Sequence, residues 1–185
     1  MASASAFFLK NTNTVTQPNI GSVLSITQVN VRCWLMKSEP GNYSVDDLKK
    51  HQKTHWDGVR NYQARNFMRE DMRLGDEVLI YHSNAEPSGV AGLARVCRAG
   101  YPDFTAWDKS SEHFDAMSTP EKPRWFMVDI EFVEKFKHFI SLKELKAQPE
   151  LAEMMVVRPG ARLSVQPVEK KHFEIVKKMG RSSIL

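Results

Sequence analysis

The chain has 185 residues, long enough for one domain with its own apolar core and too short for two of ordinary size. Hydrophobic residues make up 42% and charged residues 26%, the proportions of a globular protein, and no apolar run approaches the roughly 20 residues that a membrane-spanning helix needs. Lys and Arg outnumber Asp and Glu by 26 to 22, a net charge of +4 that favours polyanionic partners only weakly. Cys33 and Cys97 are the only cysteines and both fall in strand-like runs, so neither a disulfide framework nor a zinc cluster is expected, and a reducing compartment is.

Residues 1–32 hold no Asp or Glu and show no period of 2 or 3.6. They read as an N-terminal extension: a transit peptide, a start site placed too early, or a disordered tail. Phe7-Phe8-Leu9 is too brief for the apolar heart of a secretion signal. Order is expected from VRCWLMK (31–37), a strand stopped by Pro40-Gly41. A short helix over 44–51 follows, with Ser44 capping, Asp47 at N3, and Tyr43 and Leu48 forming a hydrophobic staple. His51 and His55 stand four apart, a metal-like spacing, but with no third ligand they read as a solvated face.

Asn61 is a good N-cap for a second helix whose inward face is Ala64, Phe67, Met68 and Met72. VLIYH (78–82) and GVAGLARVCR (89–98) read as a hairpin with a wide loop; Gly89 and Gly92 leave one side bare for a close backbone or a planar ligand. Residues 99–124 lack periodicity and predict a long loop, opening with the aromatic YPDFTAW. Alternation returns over 125–133, then come helices near 141–147 and 150–155, a strand at 162–165 and a closing helix at 169–179. This order is not the regular alternation of a doubly wound sheet. It predicts an α+β fold: a curved, mostly antiparallel sheet or pseudo-barrel with short helices packed around it, spanning 33–180, with 181–185 as a tail.

Two segments concentrate chemistry. WDGVRNYQARN (56–66) sets Arg60, Asn61, Gln63, Arg65 and Asn66 beside Trp56 and Tyr62; such planar groups suit a flat heterocycle, with stacking on its face and hydrogen bonds to its edge. By composition alone, a core tryptophan beside a solvated helix face accounts for the same residues. Lys37, Ser38 and Glu39 close a strand, where side chains project over a sheet rim. Arg60, Arg65, Arg69 and Arg73 could follow phosphates, although Glu70 and Asp71 interrupt them. No phosphate-binding glycine loop, no GxSxG elbow and no nucleophile with a base in reach by sequence is present, so neither catalysis nor a nucleotide cofactor is indicated.

The words WLMKSEP (34–40), SxDDL (44–48), WDGVRNYQARNFMR (56–69), GDxVLIYHSN (75–84), GVAGxxxV (89–96), YPD (101–103) and RLSVQPV (162–168) together resemble the EVE domain family, over about Trp34 to Val176. The resemblance implies a PUA-like fold, related to YTH domains, and a pocket for a modified base, such as methylated or hydroxymethylated cytosine, flipped out of DNA or RNA. It implies Trp56 as one wall of an aromatic cage, with Tyr101 or Trp107 as another. Trp34, Lys37, Ser38 and Glu39 would line the edge. Val59, Arg60, Asn61, Arg65, Asn66, His82, Ser83 and Asn84 would give polar contacts or hold the rim, and Asp103 would accept from an exocyclic amine or cap its loop. The expected protein is a monomeric reader without cofactor or membrane partner, cytoplasmic in a bacterium and nuclear or organellar in a eukaryote. The competing expectations are a hydrolase or nuclease acting on nucleosides or nucleic acid, and a general RNA-binding or ribosome-associated module.

Overall fold

The computed structural model describes residues 31–160 and 162–182. Most of the expected N-terminal extension and the end of the tail therefore lie outside the described residues. Six strands form one sheet in the order β2-β5-β4-β3-β1-β6: β1 Cys33–Ser38, β2 Lys53–Trp56, β3 Glu77–His82, β4 Gly89–Pro102, β5 Phe126–Ser141 and β6 Val165–Val168. All neighbours are antiparallel except β1 and β3, which run parallel. Four helices accompany the sheet: α1 Val45–His51, α2 Tyr62–Asn66 with a π turn after it, α3 Leu142–Ala147 and α4 Lys170–Arg181. The class is the expected α+β, and among the described residues no helix is long and apolar enough to cross a membrane.

β1 and β3 are buried on both faces, which is why they read as unbroken apolar runs. Trp34 and Met36 point into a cluster with Val78, Ile80, Val128, Ile130 and Met68, while Cys33 and Leu35 point into another with Leu79, Leu145, Phe173 and Val176. α4 closes the second layer. Where strands must come close, side chains are omitted: a Cβ on Gly92 would stand 2.4 Å from the carbonyl oxygen of Glu134 on β5 and 2.9 Å from a methyl of Val45.

Local signals set most boundaries. Ser44 and Asp47 complete a capping box on α1, and Ser141 with Glu144 does the same on α3. Asn61 caps α2 by accepting from the amides of Gln63 and Ala64. Five features differ from the sequence reading: the helix expected near 150–155 is instead two short 3-10 turns, Pro149–Leu151 and Met155–Val157, and four strands depart from their expected places. β2 was not foreseen, because KTHW is short, polar and held mainly by pairing with β5. β4 runs on to Pro102, into the expected loop, and β5 runs past Val133 to Ser141, because the two long strands pair along that length despite several register shifts. The last strand is 165–168 and not 162–165; it carries Pro167, which an outermost strand tolerates because no neighbour needs its missing N–H.

Parallel pairing of β1 with β3 matches Lys37 to Tyr81 and Ser38 to His82, so both strands end on the same rim. The amide of Ser83 donates to the carbonyl of Ser38 at 2.8 Å, locking the two ends together.

Candidate functional site

A cleft of about 550 Å³ opens at this rim. Lys37 and Ser38 come from β1, Tyr43 from the turn after it, and His51 from the end of α1. Thr54, His55 and Trp56 come from β2, followed by Asp57, and His113 reaches in from the loop after β4. β1 and β2 stand near opposite ends of the strand order, so the sheet has to curl for them to share one cleft.

The walls are aromatic and the edges polar. Trp56 is buried, at 8% exposed, and belongs to the core cluster, so its ring is held in place. The Tyr43 hydroxyl pairs with Nδ1 of His51 at 3.3 Å, and the two rings stand 5.9 Å apart. The Lys37 ammonium lies 5.7 Å from the centre of the Tyr81 ring, and burial pulls its pKa below the ordinary lysine value. Ser38 Oγ is buried and, among the described residues, has no hydrogen-bond partner. Such a group is costly unless something completes it.

Among the residues expected from sequence, Lys37, Ser38 and Trp56 line this cleft. The others stand nearby or beneath. Ser83 donates from its hydroxyl to the Ser38 carbonyl at 3.2 Å, and Asn84 donates to the exposed carboxylate of Glu39. His82 is buried and accepts from the Val45 amide through Nε2 at 3.1 Å, pinning the start of α1; burial holds its pKa below the ordinary histidine value. Trp34 is 2% exposed, donates from Nε1 to Asp76 at 2.9 Å, and borders a separate concavity of about 400 Å³ with Arg32, Phe67 and Lys170.

Asp103 is wholly buried and is the hub of the loop wall. It accepts from the Gly58 amide at 3.1 Å, from Arg60 at 2.7 Å, and from the amide and hydroxyl of Thr105 at 2.9 and 2.6 Å. Burial alone would raise its pKa, but the Thr105 hydroxyl, the Arg60 guanidinium and the Gly58 amide together hold it below the ordinary range. Arg60 also donates to the carbonyl of His113 at 3.0 Å, which ties the 103–125 loop to the cleft wall.

Tyr101 donates to Asp129 and lies under the Arg98 guanidinium at 3.6 Å, while Trp107 donates to Ser118 at 3.3 Å; neither borders the cleft. Val59 is core, Asn61 is occupied in the α2 cap, and Asn66 accepts from Arg65, which stands outside the cleft with part of its guanidinium unspent. The sequence reading missed Asn42, Tyr43, His51, Thr54, His55, Asp57 and His113 as lining residues. Three of these are histidines, which looked like scattered surface residues because only the curl of the sheet and the loop crossing bring them together.

The fold and the rim cleft define a small α+β domain with an aromatic and polar recess at the ends of β1 and β2. The sequence model of the EVE domain matches residues 32–179, and the chain belongs to that family. Human thymocyte nuclear protein 1 is 43% identical over 161 residues, covering 77% of this chain and 71% of its own length. A fission yeast relative, uncharacterized protein C21.03c of Schizosaccharomyces pombe, is 32% identical over 164 residues, covering 81% and 69%. A solved structure of a hypothetical protein from Leishmania major superposes with a TM-score of 0.78 at 49% identity, covering 82% of this chain and 95% of that one. The crystal structure of human THYN1 protein in complex with 5-methylcytosine-containing DNA superposes with a TM-score of 0.77 at 40% identity, covering 83% and 99%.

Proposed function

We propose that this protein is a non-enzymatic reader of nucleic acid that takes a modified base, of the methylated or hydroxymethylated cytosine type, into the cleft between β1 and β2. The observation that carries the reading is the orphan hydroxyl of Ser38 in a recess walled by Trp56 and Tyr43, on a chain 40% identical to a protein crystallised with 5-methylcytosine-containing DNA. The cleft volume of about 550 Å³ falls within the roughly 300–1,000 Å³ of small-ligand pockets. Trp56 offers a stacking face, and Ser38, Thr54 and the histidines offer edge contacts. Extracting a base from a duplex costs a few kcal/mol, which the stacking and edge contacts have to return.

Binding is favoured over turnover by the state of the serine in the cleft. Ser38 Oγ has no hydrogen-bonded base, whereas an attacking serine needs one within reach, and His82 at the same rim is committed to the Val45 amide. DNA is the first partner to test, because that is what the human relative is bound to.

The test is fluorescence anisotropy against matched oligonucleotides carrying cytosine, 5-methylcytosine or 5-hydroxymethylcytosine. Tighter binding to a modified strand, with the preference lost in Trp56→Leu and reduced in Ser38→Ala, is the expected result. Equal affinity for all three, unchanged by either substitution, would refute the reading.

A further inference from the structure

We propose that Arg65 and Arg124, arranged about Tyr62, form a phosphate seat beside the cleft that grips the backbone of the bound strand. The identity of the partner rests on the reading of the cleft given above; the seat itself rests on separate geometry.

Tyr62 is 50% exposed and stacks on the buried Trp125, with ring centres 5.0 Å apart and planes at 22°. The Arg65 guanidinium lies 4.9 Å from the centre of the Tyr62 ring. The Arg124 guanidinium lies 5.9 Å from both the Tyr62 and Trp125 rings and donates to the Tyr62 hydroxyl. The neighbouring rings hold the guanidinium groups in place, and the two N–H donors that Arg65 does not spend on Asn66 and Arg124 remain for an anion.

The charges of the arginines in this region are not equally spent. Arg60 is paired with the buried Asp103 at 2.7 Å, and Arg69 with Glu70. Arg124 faces Asp115 at 3.2 Å, a carboxylate that also accepts from Trp125 Nε1 at 2.6 Å. Arg65 is different. Its donors meet only neutral acceptors, the side-chain oxygen of Asn66 at 3.0 and 2.7 Å and the carbonyl of Arg124 at 2.8 Å. Among the described residues no carboxylate lies within ion-pair distance of it. Partial burial, and then the neighbouring Arg69 charge, pull its pKa below the ordinary arginine value against the opposing pull of Tyr62 and Glu70.

A partly buried guanidinium whose hydrogen bonds go to neutral oxygens, with no carboxylate among the described residues at ion-pair distance, is a seat for an anion. The seat adjoins the cleft: Arg60 lies 5.3 Å over the Trp125 ring and donates to the carbonyl of cleft-lining His113. A base in the cleft brings its own phosphodiester groups to this rim, so a phosphate is the anion the position fits.

The experiment measures binding against salt concentration for the wild type, Arg65→Gln, Arg124→Gln, and Arg65→Lys as a charge-preserving control for folding, on oligonucleotides with and without 5-methylcytosine. Each glutamine variant is expected to weaken both oligonucleotides by the same factor and to reduce the slope of log K against log salt by about 0.9, one phosphate contact. Arg65→Lys is expected to retain most of the slope. An unchanged slope in both glutamine variants overturns the proposal, as does a loss confined to the methylated oligonucleotide, which would make these residues base readers. If the wild type itself shows no preference for the methylated strand while the slopes still fall, the seat stands and the cleft reading fails.

Discussion

The turn 56–60 has Trp56 on the cleft side and Asp103 packed against its other side, and the polar groups on the two sides are completed to different degrees. Around Asp103 both carboxylate oxygens are occupied, by Gly58 and Arg60 on one and by Thr105 on the other. In the cleft the Ser38 hydroxyl is buried without a partner among the described residues. The turn itself supplies polar groups to both sides, Asp57 to the cleft and Gly58 and Arg60 to Asp103. Residue type therefore says little about which side chains meet a ligand; saturation of their hydrogen bonds says more. A saturated polar group is architecture, and an incomplete one marks where a ligand can enter.

Substitutions can break that contrast. The largest expected effect is Asp103→Ala, which strands Arg60 and the Gly58 amide and should cost about 3–5 kcal/mol in urea unfolding, as losing one partner of a buried ion pair does. A loss below about 1 kcal/mol would show that the hub is not structural. Next comes Gly58→Ala. Gly58 has φ +71°, and its Cβ would stand 2.3 Å from Nε2 of His113. The left-handed backbone costs about 1–2 kcal/mol, and the His113 ring has to leave the cleft wall, so stability and ligand affinity should fall together. Retained affinity in that variant would remove His113 from the site.

His82 stands at the cleft rim yet belongs to the saturated side. Its folded pKa is held down by burial while the unfolded chain titrates near 6.5, so the unfolded state takes up more protons below that pH. Stability should be flat above about pH 7 and decline as pH falls below about 6.5, and His82→Gln should remove that part of the decline in urea unfolding at pH 7.5 and 5.5. The smallest change in stability is expected for Ser38→Ala, neutral or stabilising by up to about 1 kcal/mol because an unpaired hydroxyl is deleted, with ligand affinity reduced by roughly 0.5–1.5 kcal/mol. A clear destabilisation would mean the hydroxyl is already satisfied and would weaken the contrast at its centre.

Much of the fold is legible in one dimension because its causes are local. The capping boxes at Ser44 and Ser141, the Asn61 cap, the apolar runs of β1 and β3 and the bare glycine at 92 each follow from a few neighbouring residues. The ordered words of the EVE family pointed to the same architecture. Along the rim, Lys37, Ser38 and Trp56 could be read as site residues because strand ends and a tryptophan among amides carry a local signal. What sequence alone could not decide was which polar groups are spent. Asp103 lies more than forty positions from the Gly58 and Arg60 groups it satisfies, and His113 is a cleft residue only because Arg60 holds its loop against the wall. Those pairings depend on the parallel β1–β3 alignment and on the curl that brings β2 round to β1. Backbone propensity and hydrophobic periodicity act over a few residues, whereas the completion of a hydrogen bond is settled only when distant segments are packed together.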